Sequence, residues 1–564
     1  MARLFKDEVT LAIAGQAGQG IQSIEAIVGP LVKRSGRHYL SASEFMSRVR
    51  GGANSTEIRV SSRPVSAYRE GIDLLVALHA EALPRLGKRI SPATLVVGEA
   101  EKIGYPGMID APFSKLAAEA GGALYASTAA AGYLCGLLSL KAEDCLAYIR
   151  EFFARKGPEA AERNAAAMRL GHAAGAAAGE GGIRIEITPD EGAKGNLLVS
   201  GSDAVALGAL AGGCDFVCGY PMSPATALLE KMAALSEKFD IAVEQVEDEV
   251  GVVNMAIGAW YAGARALVST SGGGFALMCE GLSLAGAAES PLVIHLCQRP
   301  GPATGLPTRT EQGDLNLALY AGHGDFPRIL LAPGSMAEGF ELGRLAFDLA
   351  DRYQLPVFIL TDQFFADSVQ DCPAFAGLDR EPERSVVETG PGYRRYVLTE
   401  DGRSPRGIPG YGKGMVRADS HEHDESGHLS EDLELRARMV DKRRRKGEAA
   451  RAAALPPRLY GPEDYRTLLL CWGSTLGTLL EAAERLGRKD LAVLHFPWLY
   501  PVPDQAGDYL RRARKRIDVE CSSQAQLAQL LHGATGCAIE EKVLKYDGLP
   551  FGTEGLAAAI ERLL

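Results

Sequence analysis

The chain has 564 residues, too many for one hydrophobic core, and domain sizes of roughly 100–200 residues divide it into three or four parts. Hydrophobic residues make up 46% and charged residues 23%, an ordinary globular balance. The formal net charge of −11 argues against a nucleic-acid binder, and no stretch reaches the roughly 20 apolar residues of a membrane span.

The N-terminus enters a strand and a glycine turn with no long apolar region before them, so no secretory signal and a cytoplasmic location are expected. VTLAIAG reads as a buried strand, QAGQG as a glycine turn and IQSIEAIVGPLVKRSG as an amphipathic helix. DLLVALH and TLVVG are further strands of a first α/β unit, residues 1–185, whose alanine- and glycine-rich end reads as running into a linker. From 195 to 375, the apolar strands FVCGYP, ALVSTSGGG, PLVIHLCQR, RILLAPG and PVFILTDQ alternate with alanine-rich helices. Continuous apolar runs of this kind predict parallel strands covered on both faces, a doubly wound sheet. Residues 376–455 form a polar, glycine-rich connector ending in a charged helix, in which Lys442 to Lys446 (KRRRK) reads as a solvated face. Residues 456–564 return to strand, turn and helix as a small C-terminal α/β domain.

The 10 cysteines are scattered through apolar runs without a C-x-x-C pair, so reduced, buried thiols are expected rather than an iron–sulfur cluster. Gly15, Gly18 and Gly20 follow a strand and open a helix, a context that suits a phosphate or a plain tight turn equally. Their spacing is not the dinucleotide G-x-G-x-x-G. Arg48 and Arg50 beside Gly51 and Gly52 would suit an anion, or a solvated loop. Gly219 to Pro224 forms a stiff turn at the carboxyl end of a strand, where open α/β sheets place ligands. Four acids, Glu244, Glu247, Asp248 and Glu249, precede an otherwise apolar helix. The helix dipole accounts for Glu247 and Asp248, whereas the apolar helix behind Glu249 carries that carboxylate inward. His421, His423 and His428, with Glu422, Asp424 and Glu425, have the composition of a metal cluster but not a zinc spacing, so no metal is expected.

The run E-D-E-x4-NMAIGA-x3-GAR-x4-TSGGGF, followed by QRPGPATGLPTRTEQGDL and AGHGDFPR, closely resembles the alpha subunit of 2-oxoacid:ferredoxin oxidoreductases, nearest the 2-oxoglutarate type. The resemblance covers nearly the whole chain and implies a gamma-type domain at 1–185, a thiamine-pyrimidine-binding domain at 195–375 and a transketolase-C-like domain at the C-terminus. It implies coenzyme-A-dependent, reversible oxidative decarboxylation of a 2-oxoacid with ferredoxin as electron acceptor. Glu249 stands where the family's cofactor-activating carboxylate stands, with Pro221, Ser271 and Gly272 also at the cofactor. Arg299, then Arg309, match the cation for the substrate carboxylate, and Tyr220 and Ser223 flank it. The family's Y-P-I-T-P turn is here Tyr220-Pro221-Met222-Ser223-Pro224, and its TSGPGF carries Gly273 for proline; the first departure bears on substrate identity. Gly18, Gly20, Arg48 and Arg50 are the candidates for coenzyme A.

No G-D-G…N segment for a magnesium-bound diphosphate occurs in the sequence. By the resemblance, the beta subunit carries Mg2+, the diphosphate and a [4Fe-4S] cluster, and a dimer of alpha–beta pairs is expected. The alternatives are pyruvate or branched-chain specificity, a thiamine enzyme without an electron acceptor, and a non-catalytic nucleotide-binding scaffold.

Overall fold

The computed structural model describes residues 3–45 and 52–564. Arg48, Arg50 and Gly51 lie outside the described residues. The chain separates into two compact units, residues 1–199 with 368–374, and residues 200–367 with 375–564.

The first unit is built on an eight-stranded mixed sheet. Its strand Glu8–Gln16 pairs antiparallel with Ala53–Ser61 and parallel with Leu74–Ala77. The strands Leu197–Ser200 and Val369–Cys372 complete its edge. His38 fastens them: Nδ1 meets Asp371 Oδ2 at 2.8 Å, and Asn196 donates to the same oxygen at 2.6 Å. The alanine- and glycine-rich segment expected to run into a linker is a 23-residue helix, Pro158–Glu180, followed by the strand Ile183–Glu186. It packs backbone to backbone on the helix Ala126–Leu137. A Cβ added to Gly171 or Gly175 would collide with the carbonyl oxygens of Ala129 and Tyr133, and one on Gly136 with that of His172. Glycine is therefore required here by close approach, not by turn geometry. Gly171→Ala is expected to cost about 1–3 kcal/mol through overpacking. The check is faster amide hydrogen exchange in both helices, with the rest of the unit unchanged.

The second unit holds the predicted doubly wound sheet. Its seven strands run in the order Ala242–Gln245, Phe216–Gly219, Ala266–Thr270, Leu292–Gln298, Pro356–Asp362, Ile329–Leu331 and Trp498–Tyr500. All neighbours pair parallel except the last, which is antiparallel. The central strands are buried along their whole length, as their unbroken apolar runs require. From Phe216–Gly219 the chain first steps outward to Ala242–Gln245, then crosses back to Ala266–Thr270 on the other side. That reversal opens a crevice beyond the carboxyl ends of the strands, the usual ligand position in such sheets. A five-stranded sheet, in the order Arg458–Tyr460, Leu491–His495, Thr467–Cys471, Lys515–Glu520 and Glu541–Leu544, forms the C-terminal part.

A second expectation is overturned. KRRRK is not a solvated face: within the helix Leu433–Ala452, Lys442, Arg443 and Lys446 are buried. Lys442 and Lys446 clamp the buried Glu289 at 2.6 and 2.7 Å, and Arg443 pairs with Glu422. Helical spacing puts residues 442 and 446 on one face, and the acid that meets them comes from a distant part of the chain.

The ten cysteines are all unpaired, and eight of them are buried. Among the described residues no helix is long and apolar enough to cross a membrane.

Candidate active site

Three chain segments meet at the crevice. The strand Phe216–Gly219 ends in the turn carrying Tyr220, Pro221 and Ser223, of which Tyr220 and Pro221 are exposed. Strand Ala266–Thr270 ends at Ser271 and the glycine triplet that opens the short helix Gly272–Leu277. The strand Leu292–Gln298 ends at Arg299.

Glu249 is the first residue of the helix Glu249–Ala262, which follows the edge strand Ala242–Gln245. The four acids separate as burial predicts. Glu244, Glu247 and Asp248 are exposed, and Asp248 caps the helix by accepting from Gly251 N–H at 2.7 Å. Glu249 is only 4% exposed, and its Oε1 has no hydrogen-bond partner. A buried carboxylate oxygen left without a donor costs about 1–3 kcal/mol, which makes Glu249 Oε1 a candidate for a ligand contact. The carboxylate rests on Gly274: an added Cβ there would lie 2.7 Å from Glu249 Oε1 and would also strike Thr270 Oγ1. The glycine keeps that approach open. Gly273 is exposed and its Cβ position is free, so the helix start does not need glycine at that residue.

Arg299 reaches across two strand ends. Its Nη1 donates to Ser223 O at 2.6 Å, while its buried Nε has no partner. Burial lowers its pKa, and the nearby Asp314 carboxylate opposes that shift. Ser271 lies next to the triplet with a buried, unpartnered hydroxyl, and Gly272 is buried behind it. Asp314, which the sequence did not single out, places its carboxyl against Gly272: an added Cβ would lie 2.6 Å from Asp314 Cγ. Glu249, Ser271, Arg299 and Asp314 thus all carry buried, unpartnered polar atoms. Arg309 is half-buried beside Gly548, whose carbonyl accepts from Thr310 N–H at 3.1 Å.

In the first unit, Gly18 and Gly20 form the predicted turn, both at positive φ, and Gly20 precedes the helix Ile21–Arg34. Gly18 is exposed with open space where a Cβ would be, whereas a Cβ on Gly20 would meet Ser127. The histidine-rich segment does not converge: His423 is buried with its ring 3.9 Å from that of Tyr396, while His421 and His428 pair separately with Asp419 and Asp424. Among the described residues no group of three His, Cys, Asp or Glu is placed to hold a metal ion.

The helix Glu249–Ala262 departs from the wholly buried helix that its composition predicts. Val252, Val253, Ala256 and Trp260 face the core, while Val250, Met255 and Tyr261 are exposed, together with Leu277. That leaves an apolar surface beside Glu249.

Residues 207–442 match the family described as pyruvate flavodoxin/ferredoxin oxidoreductase, thiamine diphosphate binding, and residues 10–174 match pyruvate ferredoxin/flavodoxin oxidoreductase. The chain is 38% identical over 402 residues to subunit alpha of 2-oxoacid:ferredoxin oxidoreductase 1 from Sulfurisphaera tokodaii, covering 68% of this chain and 64% of that relative. It is 31% identical over 367 residues to the 2-oxoglutarate synthase subunit KorA of Archaeoglobus fulgidus, covering 64% of this chain and 98% of that one. Among solved structures, it is similar to the 2-oxoglutarate:ferredoxin oxidoreductase from Magnetococcus marinus, determined with 2-oxoglutarate, coenzyme A and succinyl-CoA bound. The TM-score there is 0.91 at 28% identity, over 99% of this chain and 100% of the other. The unpartnered carboxylate at the switch point lies inside the thiamine-diphosphate-binding match, and the chain belongs to the 2-oxoacid:ferredoxin oxidoreductase family, on the side of its alpha subunits.

Proposed function

We propose that this chain is the substrate-side subunit of an enzyme that oxidatively decarboxylates a 2-oxoacid, 2-oxoglutarate first, to its acyl-coenzyme A with reduction of ferredoxin. The observation that carries the proposal is the buried, partnerless Oε1 of Glu249 at the sheet's switch point, in a segment matching a thiamine-binding family. The residues fit thiamine diphosphate: a buried carboxylate oxygen needs a donor, and Gly274 gives that carboxylate its space.

When bound, thiamine diphosphate supplies the carbon nucleophile and the electron sink for decarboxylation. Glu249 would accept a hydrogen bond from the pyrimidine N1′ and hold a proton at that atom, which favours the ring tautomer that acts as the cofactor's own base. Pro221, Ser271 and Gly272 shape the pocket around that ring. Arg299 receives the substrate carboxylate with its free Nε edge while Ser223 O holds the opposite side of the guanidinium. The Ser223 hydroxyl and Tyr220 border the keto group, and Arg309 takes the distal end of the substrate. The exposed turn at Gly18 and Gly20 contacts coenzyme A, with Arg48 and Arg50.

The exposed apolar surface around Val250, Met255 and Leu277 supports a beta subunit covering Glu249. That partner holds Mg2+, the diphosphate and a [4Fe-4S] cluster, in a dimer of alpha–beta pairs. Co-expression with a beta subunit of this family tests this. A brown complex reducing ferredoxin with 2-oxoglutarate and coenzyme A is expected. A colourless partner, or no reduction with 2-oxoglutarate, pyruvate or branched 2-oxoacids, would overturn it. In that complex Arg299→Gln is expected to raise the 2-oxoacid KM about 10–100-fold, the worth of a charge-assisted contact, as steady-state assays would read.

A further inference from the structure

We infer that Asp314 completes the substrate-anion subsite as a hydrogen-bond donor: protonated, its carboxyl presents an O–H to the substrate beside Arg299, and ionised it repels the same anion. This rests on the reading of Arg299 as the substrate's cation.

Asp314 occupies the N-cap position of the helix Leu315–Tyr320, where aspartate normally accepts from the first turn, yet its side chain makes no capping bond. The carboxyl turns instead towards Gly272, where only the absence of a side chain admits it. The main chain is fixed independently, since Gln298 Oε1 accepts from Asp314 N–H at 3.0 Å and Gln298 Nε2 donates to Thr361 O at 3.0 Å. The side chain is thus released from structural duty. Gly272 and Gly274 are two residues apart, so the carboxyls of Asp314 and Glu249 sit at the two ends of one glycine triplet.

Asp314 Oδ2 and Arg299 Nε are both buried and both unpartnered, although each group feels the other's charge. No ion pair joins them among the described residues. Each of these buried atoms still lacks the partner that a third group could supply. A substrate carboxylate would bond to the guanidinium on one side and to a protonated carboxyl on the other, using both orphaned atoms.

The charges facing Asp314 are Glu311, from its own loop, and Arg299, from the neighbouring strand end; the triplet contributes none. Burial, then Glu311, push the Asp314 carboxyl up to about 6 against the pull of Arg299. A bound substrate anion pushes it further in the same direction. Binding therefore takes up a proton near neutrality, and affinity falls as the pH rises.

The test uses the assembled complex between pH 5.5 and 8.5. The wild-type KM for 2-oxoglutarate is expected to be flat below about pH 6 and to rise by up to tenfold per unit above it. Asp314→Asn, which keeps a donor but cannot ionise, is expected to be flat across the range and within about threefold of the wild-type low-pH value. Calorimetry with glutarate, a non-reacting dicarboxylate, in two buffers of different ionisation enthalpy should show proton uptake at pH 7 in wild type and none in the variant. Absence of uptake in wild type, or an unchanged KM slope in Asp314→Asn, would overturn the inference. Arg299→Gln separates the two readings. If it leaves KM unaltered, the substrate-cation assignment fails; if it raises KM while Asp314→Asn keeps the wild-type slope, only the role of Asp314 fails.

Discussion

Glu249→Gln, in the assembled complex, is expected to lower kcat by about 10²–10⁴-fold, or about 3–5 kcal/mol, the range of a positioned acid–base group. Glutamine keeps the size and one acceptor oxygen but cannot stabilise a proton on the ring it faces. KM for the 2-oxoacid should change little, because the proposed function assigns the substrate carboxylate to Arg299 and not to Glu249. Stability should move the other way. Glu249 Oε1 is buried without a donor when the chain stands alone, so neutralising the group relieves a desolvation cost. Thermal unfolding of the isolated chain is therefore expected to be unchanged or shifted upward. A loss of activity that came with lower stability would point to a structural role instead. A gain or tie in stability with a large loss in kcat is the signature of a site held ready for a ligand.

Glu289→Gln is expected to be the most damaging single change to the fold, at about 3–5 kcal/mol, because it leaves two ammonium groups buried without their counter-charge. Glu289 and Lys442 are fully buried and Lys446 nearly so, and the three touch at 2.6 and 2.7 Å. Burial alone would raise the Glu289 carboxyl, but the flanking Lys446 and Lys442 outweigh it and hold it well below the usual carboxylate range. Its folded pKa is depressed, so its contribution is present above the unfolded carboxylate value near 4 and is lost as pH falls below it. Burial pushes Lys446 the other way, down to about 8 even with Glu289 in place. A lysine depressed in the folded state binds fewer protons than in the unfolded state, so stability rises with pH through that range. Without Glu289 the lysines are depressed further, so the deficit of Glu289→Gln should be largest on the acid side of neutrality, shrink as pH rises towards about 8 and be smallest above it. Denaturant midpoints at pH 6 and pH 9.5 would show it; an equal deficit at both would mean the lysines are not the cause.

Five strands of the central sheet were legible because each is an apolar run bounded by a turn, whereas the exposed edge strand Ala242–Gln245 (AVEQ) and the antiparallel Trp498–Tyr500, read with the C-terminal domain, were not. Glu249 was legible for a related reason, being the acid followed directly by an apolar helix. What escaped detection depends on partners distant in sequence. Lys442 and Lys446 read as surface residues because lysine almost always is, and nothing in KRRRK announces an acid that meets them from more than 150 residues earlier in the chain. Gly171 and Gly175 read as linker composition, since a glycine spaced for helix contact looks like any other glycine until its partner helix is known. Asp314 sits in a polar loop with Glu311 and was not singled out; the missing cap bond and the glycine beneath it are visible only in the structure. The exposed half of the helix Glu249–Ala262 was masked by its apolar composition, which serves a core and an interface alike.

The central proposal is that Glu249 acts through the cofactor's pyrimidine ring. The direct measurement is the rate of hydrogen–deuterium exchange at C2 of thiamine diphosphate bound to the assembled complex, wild type against Glu249→Gln, followed by acid quench and proton NMR. Glu249→Gln should slow that exchange by a factor matching its loss in kcat, with the cofactor still bound. Exchange at the wild-type rate in that variant would contradict the role assigned to this residue.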